Sequence, residues 1–346
     1  MKAVVIHEHG DPDVLKYEHI PEPVVGEKDV LVRVRVVGIN FNDIWARKGL
    51  PGLRFRLPHI PGTDAVGEVA EVGHNVSHLK VGDRVLVNPL ISCGECVDCR
   101  ASNEYFCKEF KVWGFQTGPL DGGCAEYIRL PERNLAIIPE QYSFEEMACL
   151  PACFGTAWHM LIGRAKIQSG ESVLVWGASG GLGTMAVQIV KMFGGIAIAV
   201  AGSNEKLETA KCLGADYLIN YRTENVLRRV RRITGMEGVD IVFEHTGVDT
   251  WETSIKSLKL GGRLVTCGNT TGFDAKLDLR LLFWRQLSLL GCHVGTGEEF
   301  LEWYEYLNNN KVQSVISKIF PFSEAAEAHR VFESGNKVGK LLLVPS

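Results

Sequence analysis

A glycine-rich segment that joins a predicted strand to a predicted helix constrains the fold of this chain more than any other feature. The segment, residues 175–183, reads Val-Trp-Gly-Ala-Ser-Gly-Gly-Leu-Gly. It ends an apolar run at residues 172–176, and apolar side chains then recur at helical spacing over residues 182–193. Such a turn exposes N–H groups at a helix N-terminus and lets the backbone approach an anion. The segment therefore predicts a phosphate-binding turn, rather than a tight turn without a ligand, at Ser179, Gly180, Gly181, Leu182 and Gly183.

Strands and helices alternate after this turn. The apolar patterns predict strands at residues 196–200, 217–219, 239–243 and 263–267. They predict helices at residues 205–213, 223–233 and 251–260. Strands that alternate with helices indicate a parallel, doubly wound sheet.

The first third of the chain has a different pattern, which is typical of β structure. Residues 30–36 alternate apolar and charged side chains, and residues 66–72 and 81–87 are further strand candidates bounded by turn residues. Near the end of the chain, residues 323–332 predict a helix with Ser323 as N-cap, and residues 341–344 predict a last strand. The chain is therefore an α/β protein that combines a mainly antiparallel β domain with a doubly wound domain.

Composition narrows the class of function. The chain has 346 residues, which suffices for two cores, and its net charge of −4 comes without a basic block large enough to bind nucleic acid. The longest uncharged run contains the glycine turn and is a poor membrane span. Because the N-terminal residues read as a strand and not as an export signal, we expect a cytoplasmic protein without nucleic-acid or membrane partners.

Four cysteines lie close together in a loop rich in Gly, Asp and Asn. Their spacing of two, two and seven intervening residues suits four thiolates that close a tetrahedron around Zn²⁺ and leave no open position. A zinc ion whose four ligands all come from the protein has no open position for substrate, so its role is structural. The sequence predicts one structural zinc per subunit, bound by Cys93, Cys96, Cys99 and Cys107.

The end of the second strand of the doubly wound half predicts the cofactor. A site for NAD usually places Asp or Glu there to hold the ribose hydroxyls, and this chain has Gly202. No carboxylate would repel a 2′-phosphate at that position. The sequence therefore favours NADPH over NADH, with the phosphate held by Ser203, Lys206 and Tyr221.

The glycine turn and the cysteine loop, in this order, resemble the medium-chain dehydrogenase/reductase superfamily, which includes zinc alcohol dehydrogenases, quinone oxidoreductases and enoyl-thioester reductases. The resemblance covers nearly the whole chain. It implies a GroES-like catalytic domain at residues 1–155 and 295–346, with the zinc lobe at about residues 90–110. It implies a Rossmann domain that binds NADPH at residues 156–294, and a homo-oligomer, either dimer or tetramer.

The resemblance also implies that the catalytic zinc of alcohol dehydrogenases is missing. Where those enzymes carry their Cys, His and Glu, this chain carries Asn40, Thr63 and Asp64. A third ligand position falls near Cys153. Asn and Thr are poor zinc ligands, so we expect no catalytic metal, although Asp64 with Cys153 leaves weak metal binding open.

Asn40 and Asp43 instead match the N-x-x-D motif of the quinone oxidoreductases, and residues 176–181 and 243–247 are similar to segments of the enoyl-thioester reductases. The tyrosine that quinone oxidoreductases place after this Asp is Trp45 here. Without a metal, hydrogen-bond donors must stabilise the negative charge on the acceptor oxygen, and we assign this role to Asn40 and Thr63. Asp64, His59 or water would supply the proton. Asp43 is included among the catalytic residues, with a structural cap or ion pair as the alternative.

The resemblance further places Gly268, Asn269 and residues 294–296 beside the nicotinamide, and makes Lys340 a second phosphate contact. Three functions follow. The first is an NADPH-dependent reductase of a small activated ketone, enone or quinone. The second is an enoyl-thioester reductase, which would need basic residues for CoA, with Arg47, Lys48, Arg54 and Arg56 as candidates. The third is a non-catalytic dinucleotide-binding protein.

Overall fold

The computed structural model describes residues 1–346 and divides them into two compact units. The first unit contains Met1–Ala152 and Thr296–Ser346, and the second contains Cys153–Gly295. None of the helices combines the length and the apolarity that crossing a membrane would require.

The elements before the glycine turn are short. The strands are β1 (Lys2–Ile6), β2 (Leu15–His19), β3 (Asp29–Gly38), β4 (Asp64–Val72), β5 (Arg84–Val87), β6 (Leu90–Ile91), β7 (Lys111–Val112), β8 (Tyr127–Pro131) and β9 (Leu135–Ile137). The helices are α1 (Phe41–Lys48), α2 (Val97–Arg100), α3 (Phe144–Met147) and α4 (Pro151–Trp158), and a π-helix follows at His159–Arg164.

The remaining elements alternate as expected. In the second unit they are β10 (Ser172–Val175), α5 (Gly181–Met192), β11 (Ile196–Ala201), α6 (Asn204–Cys212), β12 (Tyr217–Asn220), α7 (Val226–Ile233), β13 (Val239–Glu244), α8 (Val248–Ser257), β14 (Leu258–Thr266), α9 (Leu279–Trp284) and β15 (Ser288–Gly291). The chain then adds α10 (Gly297–Asn309), β16 (Ile316–Pro321), α11 (Ala325–Glu333) and β17 (Lys340–Val344) to the first unit.

The first unit is built on a seven-stranded sheet that both ends of the chain supply. Its order is β16-β17-β3-β4-β5-β9, with β8 also paired to β3. All pairs except β16–β17 are antiparallel. Gly38, the last residue of β3, pairs with Asp64 of β4 on one side and with Leu342 of β17 on the other. The end of β3 and the beginnings of β4 and β17 therefore meet at one edge of the sheet.

The second unit contains the predicted parallel, doubly wound sheet. Its order is β12-β11-β10-β13-β14-β15, and every neighbouring pair is parallel. The central strands β10 and β13 are almost wholly buried, as expected for a parallel sheet with helices on both faces. The predicted α/β class, with its antiparallel and doubly wound parts, is confirmed.

Some boundaries were predicted wrongly. The helix expected at residues 251–260 runs from Val248 to Ser257, because β14 begins at Leu258 and pairs with Val239 of β13. Ser323 is not an N-cap. It lies in a 3₁₀ turn, Phe322–Glu324, where its hydroxyl accepts a hydrogen bond from Ser346, and α11 begins two residues later.

Candidate active site

The glycine turn leads from β10 into α5. Gly177 has a φ of 56°, a conformation that L-residues rarely adopt, and a Cβ there would lie 2.9 Å from the His245 ring. A Cβ on Gly183 would lie 2.2 Å from the carbonyl oxygen of Gly177. Gly180 is the N-cap of α5, and having no side chain it cannot cap the first N–H groups of this 12-residue helix. The turn thus has the form that a phosphate group requires, and phosphate binding there stays a prediction.

A buried network that the sequence did not reveal holds the first residue of this turn. The backbone carbonyl oxygen of Trp176 lies 2.9 Å from His245 Nε2. The indole Nε1 of Trp176 donates to Ser254 Oγ at 2.8 Å. Ser254 donates in turn to Glu244, whose carboxylate is fully buried and also accepts from the Thr250 hydroxyl. The signal in the sequence was a charged residue that follows the apolar run Ile241–Phe243 and ends β13. Such a carboxylate needs several donors to be buried, and here these donors connect the turn to α8.

Gly202 follows β11, where the sequence places the adenosine ribose. A Cβ on Gly202 would lie 2.7 Å from the hydroxyl oxygen of Tyr221, so this phenol packs directly over the glycine. Ser203 caps α6, and its hydroxyl accepts a hydrogen bond from the backbone N–H of Lys206 at 3.3 Å. The structure therefore brings Ser203, Lys206 and Tyr221 to the end of β11, and no carboxylate occupies position 202.

Gly268 and Asn269 follow β14 at the same, carboxyl-terminal edge of the parallel sheet. Asn269 packs closely against the chain after β13, since a Cβ on Gly247 would lie 3.0 Å from its Cα atom. In doubly wound sheets ligands bind outside the carboxyl ends of the strands, where the strand order reverses. In this sheet the reversal falls between β10 and β13.

Asn40, Thr63 and Asp64 form one hydrogen-bonded cluster in the first unit. The Asn40 side-chain amide donates to Thr63 Oγ1 at 2.9 Å and to Asp64 Oδ2 at 2.8 Å. The other oxygen of Asp64 accepts from the backbone N–H of Ala152 at 2.6 Å. Thr63 and Asp64 are fully buried, and Asn40 is half-buried. Of these three residues, only Asn40 is partly exposed.

Lys340 belongs to this cluster and not to the phosphate site that the resemblance implied. Its ammonium donates to Asp64 Oδ2 at 2.6 Å and to Asn40 Oδ1 at 2.5 Å, and only 3% of the residue is exposed. The phosphate assignment is corrected for a physical reason. If the Lys340 ammonium left the cluster to bind a phosphate, the buried Asp64 carboxylate would lose its counter-ion.

Asp43 holds two parts of the backbone together. Its carboxylate accepts from the N–H of Asn40 at 2.7 Å and from the N–H of Gly62 at 2.8 Å. Burial raises the pKa of Asp43 to about 7, with Asp64 adding to the rise, while the two N–H groups and the charge of Lys340 oppose it. Asp43 therefore positions the segments that carry Asn40 and Thr63, which is the structural alternative that the sequence left open.

Two of the other predicted contributors have surroundings that disfavour their roles. Burial lowers the pKa of His59 to about 4, and its Nε2 lies 3.1 Å from the carbonyl oxygen of Gly114, so the ring is neutral near pH 7 and a poor proton donor. The sequence left Asp64 open as a weak metal ligand together with Cys153, but both oxygens of Asp64 already accept hydrogen bonds, one of them from the backbone N–H of Ala152. The Asp64 carboxylate is thus engaged without a metal.

The four clustered cysteines converge as their spacing predicted. All four Sγ atoms lie within 4.8 Å of one another, with 3.7 Å between Cys93 and Cys99 and 3.5 Å between Cys96 and Cys99. A tetrahedral zinc with Zn–S bonds of about 2.3 Å requires S···S distances of about 3.8 Å. The four sulfur atoms therefore fit a structural zinc.

Backbone hydrogen bonds reach two of these thiols and favour the thiolate form of Cys93. The backbone N–H of Cys96 donates to Cys93 Sγ at 3.3 Å, and that of Cys93 donates to Cys107 Sγ at 3.4 Å. The N–H groups of Glu95 and Cys96 lower the pKa of Cys93 to about 6, which favours the thiolate form that binds metals.

Comparison with known proteins identifies the family. The alcohol dehydrogenase GroES-like domain matches residues 26–140, and the zinc-binding dehydrogenase family matches residues 181–309. A crotonyl-CoA carboxylase/reductase of Cereibacter sphaeroides is 32% identical over 99% of this chain and 86% of its own. An NAD-dependent alcohol dehydrogenase of Sulfolobus acidocaldarius is 32% identical over 99% of each chain. The quinone oxidoreductase of Homo sapiens is 29% identical over 99% of this chain and 98% of its own.

Solved structures of similar fold support the same family assignment. An NAD-dependent alcohol dehydrogenase superposes with a TM-score of 0.95 at 38% identity, with both chains fully covered. A crotonyl-CoA carboxylase/reductase in complex with NADP superposes with a TM-score of 0.90 at 30% identity, covering 100% of this chain and 95% of that one. The chain belongs to the medium-chain dehydrogenase/reductase superfamily. It is an oxidoreductase of that superfamily, so the non-catalytic reading of the sequence is not supported.

Proposed function

We propose that this protein is an NADPH-dependent reductase that delivers hydride to an activated carbonyl compound, such as a ketone, enone or quinone, without a catalytic zinc. The observation that carries the proposal is the cluster of Asn40, Thr63 and Asp64. At the positions where zinc alcohol dehydrogenases carry Cys, His and Glu, these side chains hydrogen-bond to one another instead of offering a metal its preferred donors.

The preference for NADPH is supported at the end of β11. Gly202 presents no carboxylate to a 2′-phosphate, and Ser203, Lys206 and Tyr221 surround this position. One structural relative is in complex with NADP, although others are named NAD-dependent enzymes. NADPH and NADH should therefore be compared at equal concentration, and a higher kcat/KM with NADH would refute this part of the proposal.

The reaction follows from the cofactor and from the half-buried amide of Asn40. When bound, the nicotinamide would supply a hydride for the electrophilic carbon, the π electrons would move to oxygen, and a proton from water would complete the product. Asn40 would redirect to that oxygen one of the two N–H groups that otherwise donate to Thr63 and Asp64. Thr63, Asp64 and Asp43 are buried, so they act through Asn40 as positioning residues. Amide donors stabilise an oxyanion less than a metal does, which favours acceptors that are already activated.

An enoyl-thioester reductase is the second candidate, in which hydride adds to the β-carbon of an enoyl thioester and the enolate oxygen takes the charge. Relatives named crotonyl-CoA reductases support it. Of the basic residues considered for CoA, Arg47 is buried in an ion pair with Glu333, and Lys48 pairs with the same carboxylate. Arg54 and Arg56 are exposed and remain as candidates.

One experiment tests both candidates. NADPH oxidation is measured against aryl ketones, quinones, alkenals and enoyl-CoA thioesters, with zinc counted in each subunit. We expect turnover with at least one of these acceptors, little with simple aliphatic alcohols and NADP⁺, and one zinc at the four cysteines. A second zinc in each subunit would contradict the proposal. The cytoplasmic location and the homo-oligomeric state stay predictions.

A further inference from the structure

The ammonium of Lys340 is in direct contact with the Asn40–Asp64 cluster. Asp64 is fully buried and Lys340 is 3% exposed, with 2.6 Å between the ammonium and the carboxylate. Removing either partner from such a pair leaves an uncompensated buried charge. The positive charge that balances the Asp64 carboxylate is therefore supplied by a side chain of the protein, Lys340.

The chain makes room for this side chain. Gly38 ends β3 beside the beginnings of β4 and β17, and a Cβ there would lie 2.7 Å from Cε of Lys340 and 2.3 Å from the carbonyl oxygen of Ala148. A glycine at this position lets the lysine stem pass between the strand ends. The ammonium is thereby delivered to Asn40 and Asp64 from a strand at the other end of the chain.

The contacts of Lys340 also determine how the Asn40 amide is oriented. The amide oxygen accepts from the ammonium, so the amide nitrogen faces Thr63 and Asp64. In the flipped orientation an NH₂ group would face an ammonium, which is repulsive. A cationic donor on the amide oxygen also polarises the amide, and hydrogen bonds polarised in series strengthen one another.

We propose that Lys340 is a tethered cation that takes the place of the missing catalytic metal. It neutralises Asp64, orients and polarises the Asn40 amide, and disfavours a divalent ion at this position by charge repulsion. Lys340 is a positioning residue, because it acts on the acceptor through Asn40. The kinetic part of this inference rests on the proposed function, and the cation itself can be tested separately.

The test replaces Lys340 by Ala and returns the lost group as n-propylammonium. We expect K340A to have a lower Tm than the wild type, and n-propylammonium to raise this Tm saturably. Neutral 1-propanol, which has a similar size, should not do so. The wild type and K318A, which loses an exposed lysine on the neighbouring strand β16, should not respond to the amine. Equal stabilisation of K340A by amine and alcohol would show a filled cavity without a cation site, and would overturn the proposal.

Turnover provides the second measurement. We expect K340A and K340M to lose about 10- to 100-fold in kcat, as is usual when the partner of a catalytic group is removed. The amine should restore K340A but not K340M, whose side chain fills the space. Wild-type kcat in K340M would overturn the proposal. A wild-type protein without turnover on any acceptor would refute the proposed function instead, and the Tm series would still decide whether the cation site exists.

Discussion

Gly202 follows β11 without a side chain, and the hydroxyl oxygen of Tyr221 lies 2.7 Å from where a Cβ would be. A single residue at this position can determine which cofactor binds, because its side chain decides whether a negative charge lies beside the 2′-phosphate. Asp43 is a second example, since its burial without a cation in direct contact makes its ionisation costly. Each of these residues leads to a prediction that one substitution can test.

Gly202→Asp should reduce the preference for NADPH. The new carboxylate would repel the 2′-phosphate and accept hydrogen bonds from the ribose hydroxyls of NADH. We expect kcat/KM with NADPH to fall at least about tenfold relative to that with NADH, equivalent to about 1.4 kcal/mol. Gly202→Ala is the control, because it adds the Cβ that displaces Tyr221 but adds no charge. If both variants lost NADPH activity equally, the effect would be steric and the charge argument would fail.

Asp43 should make stability depend on pH. Its pKa is raised on folding from 3.8 to about 7, so the protonated form is favoured in the folded state. Its contribution to the free energy of unfolding is therefore largest below about pH 4 and falls as the pH rises to about 7. In urea titrations, the stability difference between wild type and Asp43→Asn should shrink over this interval. A pH-independent difference between wild type and Asp43→Asn would contradict the assignment.

The glycine turn is the element whose backbone geometry is most constrained. Its two ends approach each other so closely that Gly183, in the first turn of α5, packs on the carbonyl group of Gly177. Trp176, the residue before Gly177, also holds the turn in place. Its indole donates a hydrogen bond to Ser254, and Ser254 donates to the buried Glu244. A phosphate-binding turn of this kind depends on close packing around it as well as on its own glycines.

Gly183→Ala and Gly180→Ala separate these requirements. A Cβ at residue 183 would lie 2.2 Å from a backbone oxygen, whereas at residue 180 the nearest atom is at 3.4 Å. We expect G183A to lower the free energy of unfolding by about 1–3 kcal/mol, the usual range for overpacking. G180A should leave it nearly unchanged. Chemical denaturation without cofactor measures both, and equal stability of the two variants would rule out the close approach.

At the scale of the whole molecule, segments distant in the chain are joined within one unit. The core of the first unit combines residues from the chain start, such as Val4 and Val32, with Phe320 and Leu341 near its end. The zinc lobe takes part in this, because Glu104 accepts a hydrogen bond from the N–H of Gly297 at the start of α10. Metal binding in the lobe should therefore influence a segment almost 200 residues away.

Cys107→Ser should remove zinc and weaken this connection. Replacing one thiolate leaves an incomplete tetrahedral shell, and structural zinc contributes directly to folding. We expect metal analysis to show zinc near one per subunit in the wild type and near zero in C107S, with a lower Tm. Cys212→Ser, at an exposed cysteine in α6, should retain zinc and Tm. Full zinc occupancy in C107S would exclude the four-cysteine site.

Local patterns were enough to predict the alternating strands and helices of the second unit, the form of the glycine turn and the convergence of four cysteines. Each depends on residues close together in the chain, where periodicity, missing side chains and ligand spacing act over one or two turns. Boundaries failed where a distant partner intervened, as at Leu258, which joins β14 because it pairs with Val239.

The role of Lys340 could not be predicted in this way. Its contacts span 300 residues to Asn40 and 276 to Asp64, and its position in sequence suggested a phosphate ligand. Only the pairing of β17 beside β3, and of β3 beside β4, brings the three side chains together. Whether a buried charge is compensated depends on what lies within a few ångströms in space, and strand pairing across the whole chain decides that.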